Sequence, residues 1–120
     1  MPRDDGETWD RRRHVRVRPS ADYDIQAAVC EGTVFTTVQI VDLSLGGIGL
    51  LLEPPIDSVA MGGSFELKIS TPESSPVRAR VVVRHQARGV CGAQFETLSE
   101  KASLAIGRAV SELLERGHQA

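Results

Sequence analysis

The chain has 120 residues, of which 41% are hydrophobic and 25% charged, so its size and composition are those of one ordinary globular domain. No apolar run approaches the roughly 20 residues that span a bilayer, and the N-terminus is charged, so we expect a cytoplasmic protein without membrane insertion. Cys30 and Cys91 lie far apart, with no second cysteine or histidine at ligand spacing, which argues against a zinc site or a redox motif.

The net charge of −2 conceals a strong local asymmetry. Residues 11–18 contain five arginines and no acidic residue, whereas residues 19–120 contain eight basic and twelve acidic residues. A nucleic-acid-binding domain usually carries a basic face along its whole length. The concentrated positive patch therefore favours a compact anionic ligand over an extended polyanion.

The first part of the chain changes from polar to strand-forming sequence. Residues 1–10 include glycine, proline and four acidic residues without hydrophobic periodicity, which predicts a flexible tail. Segments 25–31 and 34–42 are dense in β-branched and aromatic residues and are separated by a glycine-containing turn, so they predict a β-hairpin.

Four more strands follow from apolar runs and period-2 alternation. Phe65, Leu67 and Ile69 alternate with polar residues, as expected for a strand with one solvent-exposed face. A loop is predicted at 71–76, where serine and proline are frequent. The four strands are predicted at 48–53, 64–70, 77–86 and 90–96.

Only the C-terminal part has a helical pattern, which predicts a helix over 98–116. Thr97 and Glu100 have the spacing of a capping box, and Gly117 can end the helix. We expect the helix to cover an end or edge of an open barrel in one domain spanning 11–120. The apolar residues on one face of this helix are Ala102, Ala105, Ile106, Ala109, Val110, Leu113 and Leu114.

Two of the arginines have a spacing that suits ligand binding. Arg12 and Arg16 are four positions apart and share one face of an extended segment. A guanidinium group offers a planar fork of donors that matches the O6 and N7 acceptors of guanine and also pairs with phosphate. The alternative is a solvated basic tail, which is the usual meaning of an arginine run taken alone.

A second candidate is the segment 42–47, with the sequence DLSLGG. The carboxylate of Asp42 can accept hydrogen bonds from guanine, the hydroxyl of Ser44 can donate to phosphate, and glycine allows close approach of a ligand to the backbone. The alternative is an ordinary turn in which Asp42 and Ser44 bond to their own backbone.

Together the two elements are more specific than either one. The RxxxR pattern of Arg12 and Arg16, followed by the DxSxxG pattern of Asp42, Ser44 and Gly47, resembles the PilZ family of cyclic di-GMP receptors. The strings VDLSLGGIGL and VCGAQF match the habits of that family, and the resemblance covers nearly the whole folded chain. It implies a mainly β fold: a six-stranded antiparallel β-barrel with a C-terminal α-helix and a flexible N-terminal arm.

The resemblance also implies roles for individual residues. The five motif residues would contact the bases and phosphates of cyclic di-GMP. Arg11 directly precedes the first motif arginine, which in the family accompanies binding of an intercalated ligand dimer. Arg13 and Gly46 are additional candidate contacts. Arg84 falls near the place where some members hold a large side chain against the ligand, and it could stack there as a cation.

The sequence therefore predicts a receptor for the bacterial second messenger cyclic di-GMP that relays binding by ordering its arginine segment and altering contact with a downstream protein. The sequence contains no GxSxG motif of a hydrolase, no phosphate-binding loop and no metal-binding motif. We therefore expect no enzyme activity, no cofactor and no metal. Two alternatives stay open. The first is a non-specific nucleic-acid-binding barrel, but Trp9 and Tyr23 offer few aromatic side chains on which bases could stack. The second is a protein-interaction module of the same fold that binds no ligand.

Overall fold

The computed structural model describes residues 15–56 and 59–120. Within these ranges it confirms the predicted six-stranded antiparallel barrel followed by a helix. The predicted tail 1–10 and the candidate ligand residues Arg11, Arg12 and Arg13 lie outside the described residues. The strands are β1 Gln26–Glu31, β2 Val34–Leu43, β3 Gly47–Leu51, β4 Ser64–Thr71, β5 Ser74–Ala87 and β6 Val90–Thr97, and the helix is α1 Glu100–Glu115.

The barrel is closed, in the strand order β1-β2-β3-β6-β5-β4, whereas the sequence pattern suggested an open one. Two long strands make the closure possible. The first half of β2 pairs with β1 and its second half with β3, while β5 pairs with β4 and, further along, with β6. A single hydrophobic run gives no sign that its two halves have different neighbours, so the closure could not be predicted.

The predicted loop at 71–76 is wrong. Thr71 pairs directly with Ser74, so the connection is a tight turn and β5 begins at Ser74. Proline lacks a backbone N–H and is normally confined to strand edges. Pro76 is tolerated inside β5 because the pairing with β6 begins only at Arg80, which leaves this part of the strand with one neighbour.

The barrel interior is filled by alternate residues of all six strands, and fully buried examples include Leu50, Leu67 and Val81. The helix adds its apolar face to the same core. The predicted helical face is confirmed: Ala102, Ala105, Ile106, Ala109, Val110 and Leu113 are buried, and Leu114 is half-buried.

The two ends of α1 differ in how well they were predicted. The N-cap is Ser99, whose Oγ accepts a hydrogen bond from the Ala102 amide at 3.1 Å, and not Thr97, which is the last residue of β6. Gly117 ends the helix as predicted: its φ is 83°, and its amide donates to the Leu114 carbonyl at 3.0 Å. No helix in the described part of the chain has the length and hydrophobicity to cross a membrane.

A polar cluster fastens α1 to the barrel. The hydroxyl of Tyr23 donates to Glu73 Oε1 at 2.9 Å, and Arg108 Nε lies 3.3 Å from the same oxygen. The guanidinium of Arg116 covers the Tyr23 ring at 5.1 Å. Burial, with the hydrogen bond to Glu73, raises the pKa of Tyr23 to about 12. The cluster thus joins the N-terminal segment, the β4–β5 turn and the helix.

Candidate functional site

The short segment around Val17 is held by backbone hydrogen bonds on both sides. Val17 exchanges two such bonds with Leu43 at the end of β2, at 2.8 and 2.9 Å. On the other side, the C-terminal residues 118–120 bond to the backbone of Arg16 and Arg18, at 2.8 Å each. The Val17 side chain is fully buried. Because the backbone is fixed from both sides, Arg16 has a defined position on the barrel surface.

The structure brings two of the predicted ligand residues into direct contact. Arg16 Nη1 donates to Asp42 Oδ2 at 2.9 Å, with the two side chains 40% and 18% exposed. The Nε of Arg16 is buried, and no described residue accepts its hydrogen bond. A buried N–H without an acceptor is costly. The Arg16 side chain is nevertheless 40% exposed, so an anion beside the pair can accept from guanidinium N–H groups that do not bond Asp42.

The position of Asp42 depends on a neighbouring glycine that sequence reasoning missed. A register shift in β2 between Ile40 and Asp42 puts Asp42 opposite Gly49 of β3. A Cβ on Gly49 would lie 2.7 Å from Asp42 Oδ1 and would displace the carboxylate. The only signal in the sequence is the spacing: Gly47 and Gly49 are two residues apart and therefore share one face of a strand.

Ser44 organises the turn that follows β2. Its Oγ accepts hydrogen bonds from the amides of Gly46 and Gly47, both at 3.1 Å, and the Ser44 amide donates to the Gly47 carbonyl at 2.9 Å. The side chain is buried, with 5% of its residue surface exposed. The Ser44 hydroxyl therefore bonds to the backbone of its own turn. This is the alternative to phosphate binding that the sequence left open.

Gly47 is required by the approach of two strands. A Cβ there would fall well inside van der Waals contact with the carbonyl oxygen of Ala93 in β6. The preceding residue, Gly46, is half-buried, and its carbonyl accepts from the Phe95 amide at 3.0 Å. Both candidate glycines therefore have a role in how β3 meets β6, which does not depend on any ligand.

A strip of bare backbone crosses the outer surface of the barrel next to Asp42. Asp42 lies opposite Gly49, Gly49 opposite Gly92, and Gly92 opposite His85. With about 4.8 Å between neighbouring strands, this row is roughly 14 Å long. Neither central position carries a side chain, but the Asp42 carboxylate lies over Gly49, which is buried. The open floor is therefore Gly92, between the Asp42 carboxylate and His85, and the edge of a planar base can lie on it.

The last candidate from the sequence, Arg84, lies beside this floor. Its Nε donates to Gln94 Oε1 at 2.8 Å, and Gln94 pairs with Gly47 across β6 and β3. Gln94 and Gly92 were missed as site residues because one sequence does not show which residues of separate strands become neighbours. Within residues 15–56 and 59–120, no three His, Cys, Asp or Glu side chains are grouped to hold a metal ion.

Comparisons with known proteins identify the family of the chain. Residues 10–112 match the model of the PilZ domain. Among solved structures, the chain resembles the PilZ domain of Escherichia coli YcgR with c-di-GMP, with a TM-score of 0.65, 17% identity, and coverage of 90% of this chain and 95% of that one. Curated proteins gave no match.

Two longer proteins share the fold. One is the K. pneumonia MrkH–c-di-GMP complex, with a TM-score of 0.69, 18% identity, and coverage of 90% and 54%. The other is the Bacillus subtilis inhibitor of motility MotI, with a TM-score of 0.65, 20% identity, and coverage of 88% and 53%. The chain therefore spans about half the length of these two proteins. Since the family model matches most of the sequence, the chain belongs to the PilZ domain family.

Proposed function

We propose that this chain is a receptor for cyclic di-GMP, which it binds on the outer barrel surface around Arg16 and Asp42. The observation that carries the proposal is the partly exposed Arg16–Asp42 pair, which lies next to the bare backbone of Gly92. The solved YcgR and MrkH structures, which share this fold, contain c-di-GMP.

The chemistry of the ligand suits these groups. A phosphate oxygen would accept from the exposed guanidinium N–H groups of Arg16 that do not bond Asp42, and the Asp42 carboxylate would accept from the N–H groups of a guanine edge. The guanine plane would lie over Gly92, with its edge against the Asp42 carboxylate that covers Gly49. Arg84, which is exposed and bonded only to Gln94 among described side chains, could turn to cover a base from above.

We further propose that the ligand binds as an intercalated dimer. A dimer carries twice the phosphate charge of one molecule, and the sequence supplies Arg11, Arg12 and Arg13 in addition to Arg16. Such a ligand would draw Arg11, Arg12 and Arg13 against the barrel through charge-assisted hydrogen bonds, beside Arg16, whose backbone is already held there. Since Arg16 and Arg18 are bonded to residues 118–120, the same event would reach the C-terminal tail.

The output would be altered contact with a downstream protein, with no chemical step and no cofactor. We place the receptor in the cytoplasm, in keeping with its two free cysteines, Cys30 and Cys91. Hydrogen exchange tests the relay: residues 8–16 should gain protection when cyclic di-GMP is added, whereas the Val17 and Arg18 amides are already bonded, and unchanged protection of residues 8–16 would contradict the relay.

Calorimetric titration tests the binding itself. The native chain should bind cyclic di-GMP but neither GTP nor a short single-stranded oligonucleotide, with two ligand molecules per chain if a dimer binds. Arg12→Ala and Arg16→Ala should each lose at least about tenfold in affinity, since a charge-assisted pair is worth roughly 1.5–3 kcal/mol.

Arg78→Ala is the matched control, because Arg78 forms a surface pair with Glu66 at the same 2.9 Å but belongs to another part of the barrel. It should bind like the native chain. Absence of heat with cyclic di-GMP, or equal losses in all three variants, would refute the proposal. Tight, strongly salt-dependent binding of the oligonucleotide would favour the nucleic-acid alternative, and no binding of any probe would favour the interaction module.

A further inference from the structure

One side of β2 is open to solvent along its first half. Residues 34–38 pair with β1, whereas the pairing with β3 begins only at Gln39, which lies opposite Leu51. Beyond Leu51, β3 has ended, and among residues 15–56 and 59–120 no other backbone bonds to this side of β2. The otherwise closed barrel thus retains a short strand edge here.

The register of the hairpin identifies the backbone groups on that edge. Glu31 and Val34 flank the two-residue turn between β1 and β2 and so form a hydrogen-bonded pair. Alternation from this pair directs the N–H and C=O groups of Thr36 and Val38 toward β1. The backbone groups of Phe35 and Thr37 therefore point to the open side, where they can pair with another chain.

A cleft of about 430 Å³ lies along the same edge. Its walls include Val38, Leu51 and Ile56, which supply apolar surface, together with the carboxylates of Glu31 and Glu53. Val38 and Ile56 also pack against the barrel core, so the floor of the cleft is rigid. No basic residue of the described chain lines it. The cleft thus combines unpaired strand backbone, apolar surface and negative charge.

We propose that this cleft is a docking site for an extended segment of a partner protein in which lysine or arginine alternates with apolar residues. The segment would add to β2 as an antiparallel strand and prolong the line of β3 beyond Leu51. Its N–H and C=O groups would pair with Phe35 and Thr37, and its cations would pair with Glu31 and Glu53. The site is about 17 Å along β2 from Asp42, counted as five residues of strand, and does not rest on the proposed ligand function.

The test uses a terminally blocked peptide of alternating lysine and valine, followed by NMR on the full chain. In the free protein, the amides of Phe35 and Thr37 should exchange with solvent much faster than those of Thr36 and Val38. Adding the peptide should shift and protect the Phe35 and Thr37 amides. The same peptide with glutamate in place of lysine should not bind. Slow exchange of both edge amides in the free protein would show that the edge is already closed and would overturn the proposal.

Two variants separate the backbone and charge contributions. Thr37→Pro removes an N–H that bonds to no other described residue, and it should abolish peptide binding while leaving cyclic di-GMP binding unchanged. Glu31→Gln with Glu53→Gln should weaken peptide binding about tenfold, as expected for two rim ion pairs. The control is Glu100→Gln with Glu115→Gln, which removes two exposed carboxylates of α1.

The control pair should bind the lysine peptide like the native chain. If Thr37→Pro does not fold, the proposal is still tested by the two double Glu→Gln variants and by the exchange rates of the Phe35 and Thr37 amides. No binding of the lysine peptide up to millimolar concentration, equal binding of the glutamate peptide, or equal weakening by both glutamine pairs would each overturn the proposal.

Discussion

The same substitution, glycine to alanine, should have opposite effects on stability at Gly47 in β3 and at Gly107 in α1. At Gly47 the added Cβ would collide with the backbone carbonyl of Ala93, and it would lie 3.4 Å from the Gln94 Cα. Backbone on a paired strand cannot move aside without loosening the β3–β6 ladder. We therefore expect Gly47→Ala to lower the free energy of unfolding by about 2–3 kcal/mol, the range for overpacking.

At Gly107, inside α1, the added Cβ would meet only Leu45, at 3.7 Å, an ordinary van der Waals distance. Alanine is more favourable than glycine in a helix by roughly 0.8–1 kcal/mol. We expect Gly107→Ala to raise the free energy of unfolding by up to that amount, since the helix there is regular and half-buried.

Urea unfolding followed by circular dichroism measures both variants against the native chain. The slope of the free energy against urea should stay constant, so that a shift in midpoint reports stability alone. The reasoning would be refuted if Gly47→Ala stayed within about 0.5 kcal/mol of the native chain, or if Gly107→Ala were the less stable of the two.

Three further predictions concern the site and its supports. Gly49→Ala should displace the Asp42 carboxylate and reduce affinity for cyclic di-GMP at least about tenfold with little loss of stability, as measured by calorimetry and urea unfolding. Stability should fall as the pH rises from 10 towards 12, because the pKa of Tyr23 is raised to about 12 in the folded chain, and Tyr23→Phe should make this fall smaller, leaving the part due to the raised pKa values of the two cysteines. Deleting residues 118–120 should weaken ligand binding by releasing the backbone of Arg16.

Periodicity was sufficient to predict the elements because it reports what each residue faces. The alternation in β4 and the apolar face of α1 both correspond to contact with one core. Periodicity failed where it did not show which strand is the neighbour of which. Pro76 suggested a loop, yet it lies in a strand, because the neighbouring strand on that side begins only at Arg80.

The candidate site was predicted to the extent that it lies in contiguous motifs. Arg16 and Asp42, which the two motifs single out as ligand residues, lie together because Val17 pairs with Leu43 and so fixes the register between the two motifs. The strip of bare backbone at Gly49 and Gly92 was not foreseen. These glycines become neighbours only through the pairing of β3 with β6, and such long-range register leaves no mark in one sequence.

The residues of the second motif should separate into two classes when they are substituted. Ser44 is buried and satisfies the amides of Gly46 and Gly47, so Ser44→Ala leaves two N–H groups without an acceptor and should cost about 1–3 kcal/mol of stability as well as ligand affinity. Asp42 forms a partly exposed ion pair, which is worth about 1 kcal/mol or less. Asp42→Asn should therefore abolish ligand binding with almost native unfolding. Comparing the two variants by urea unfolding and calorimetry distinguishes residues that shape the turn from those that bind, and equal stability losses would show that this division is wrong.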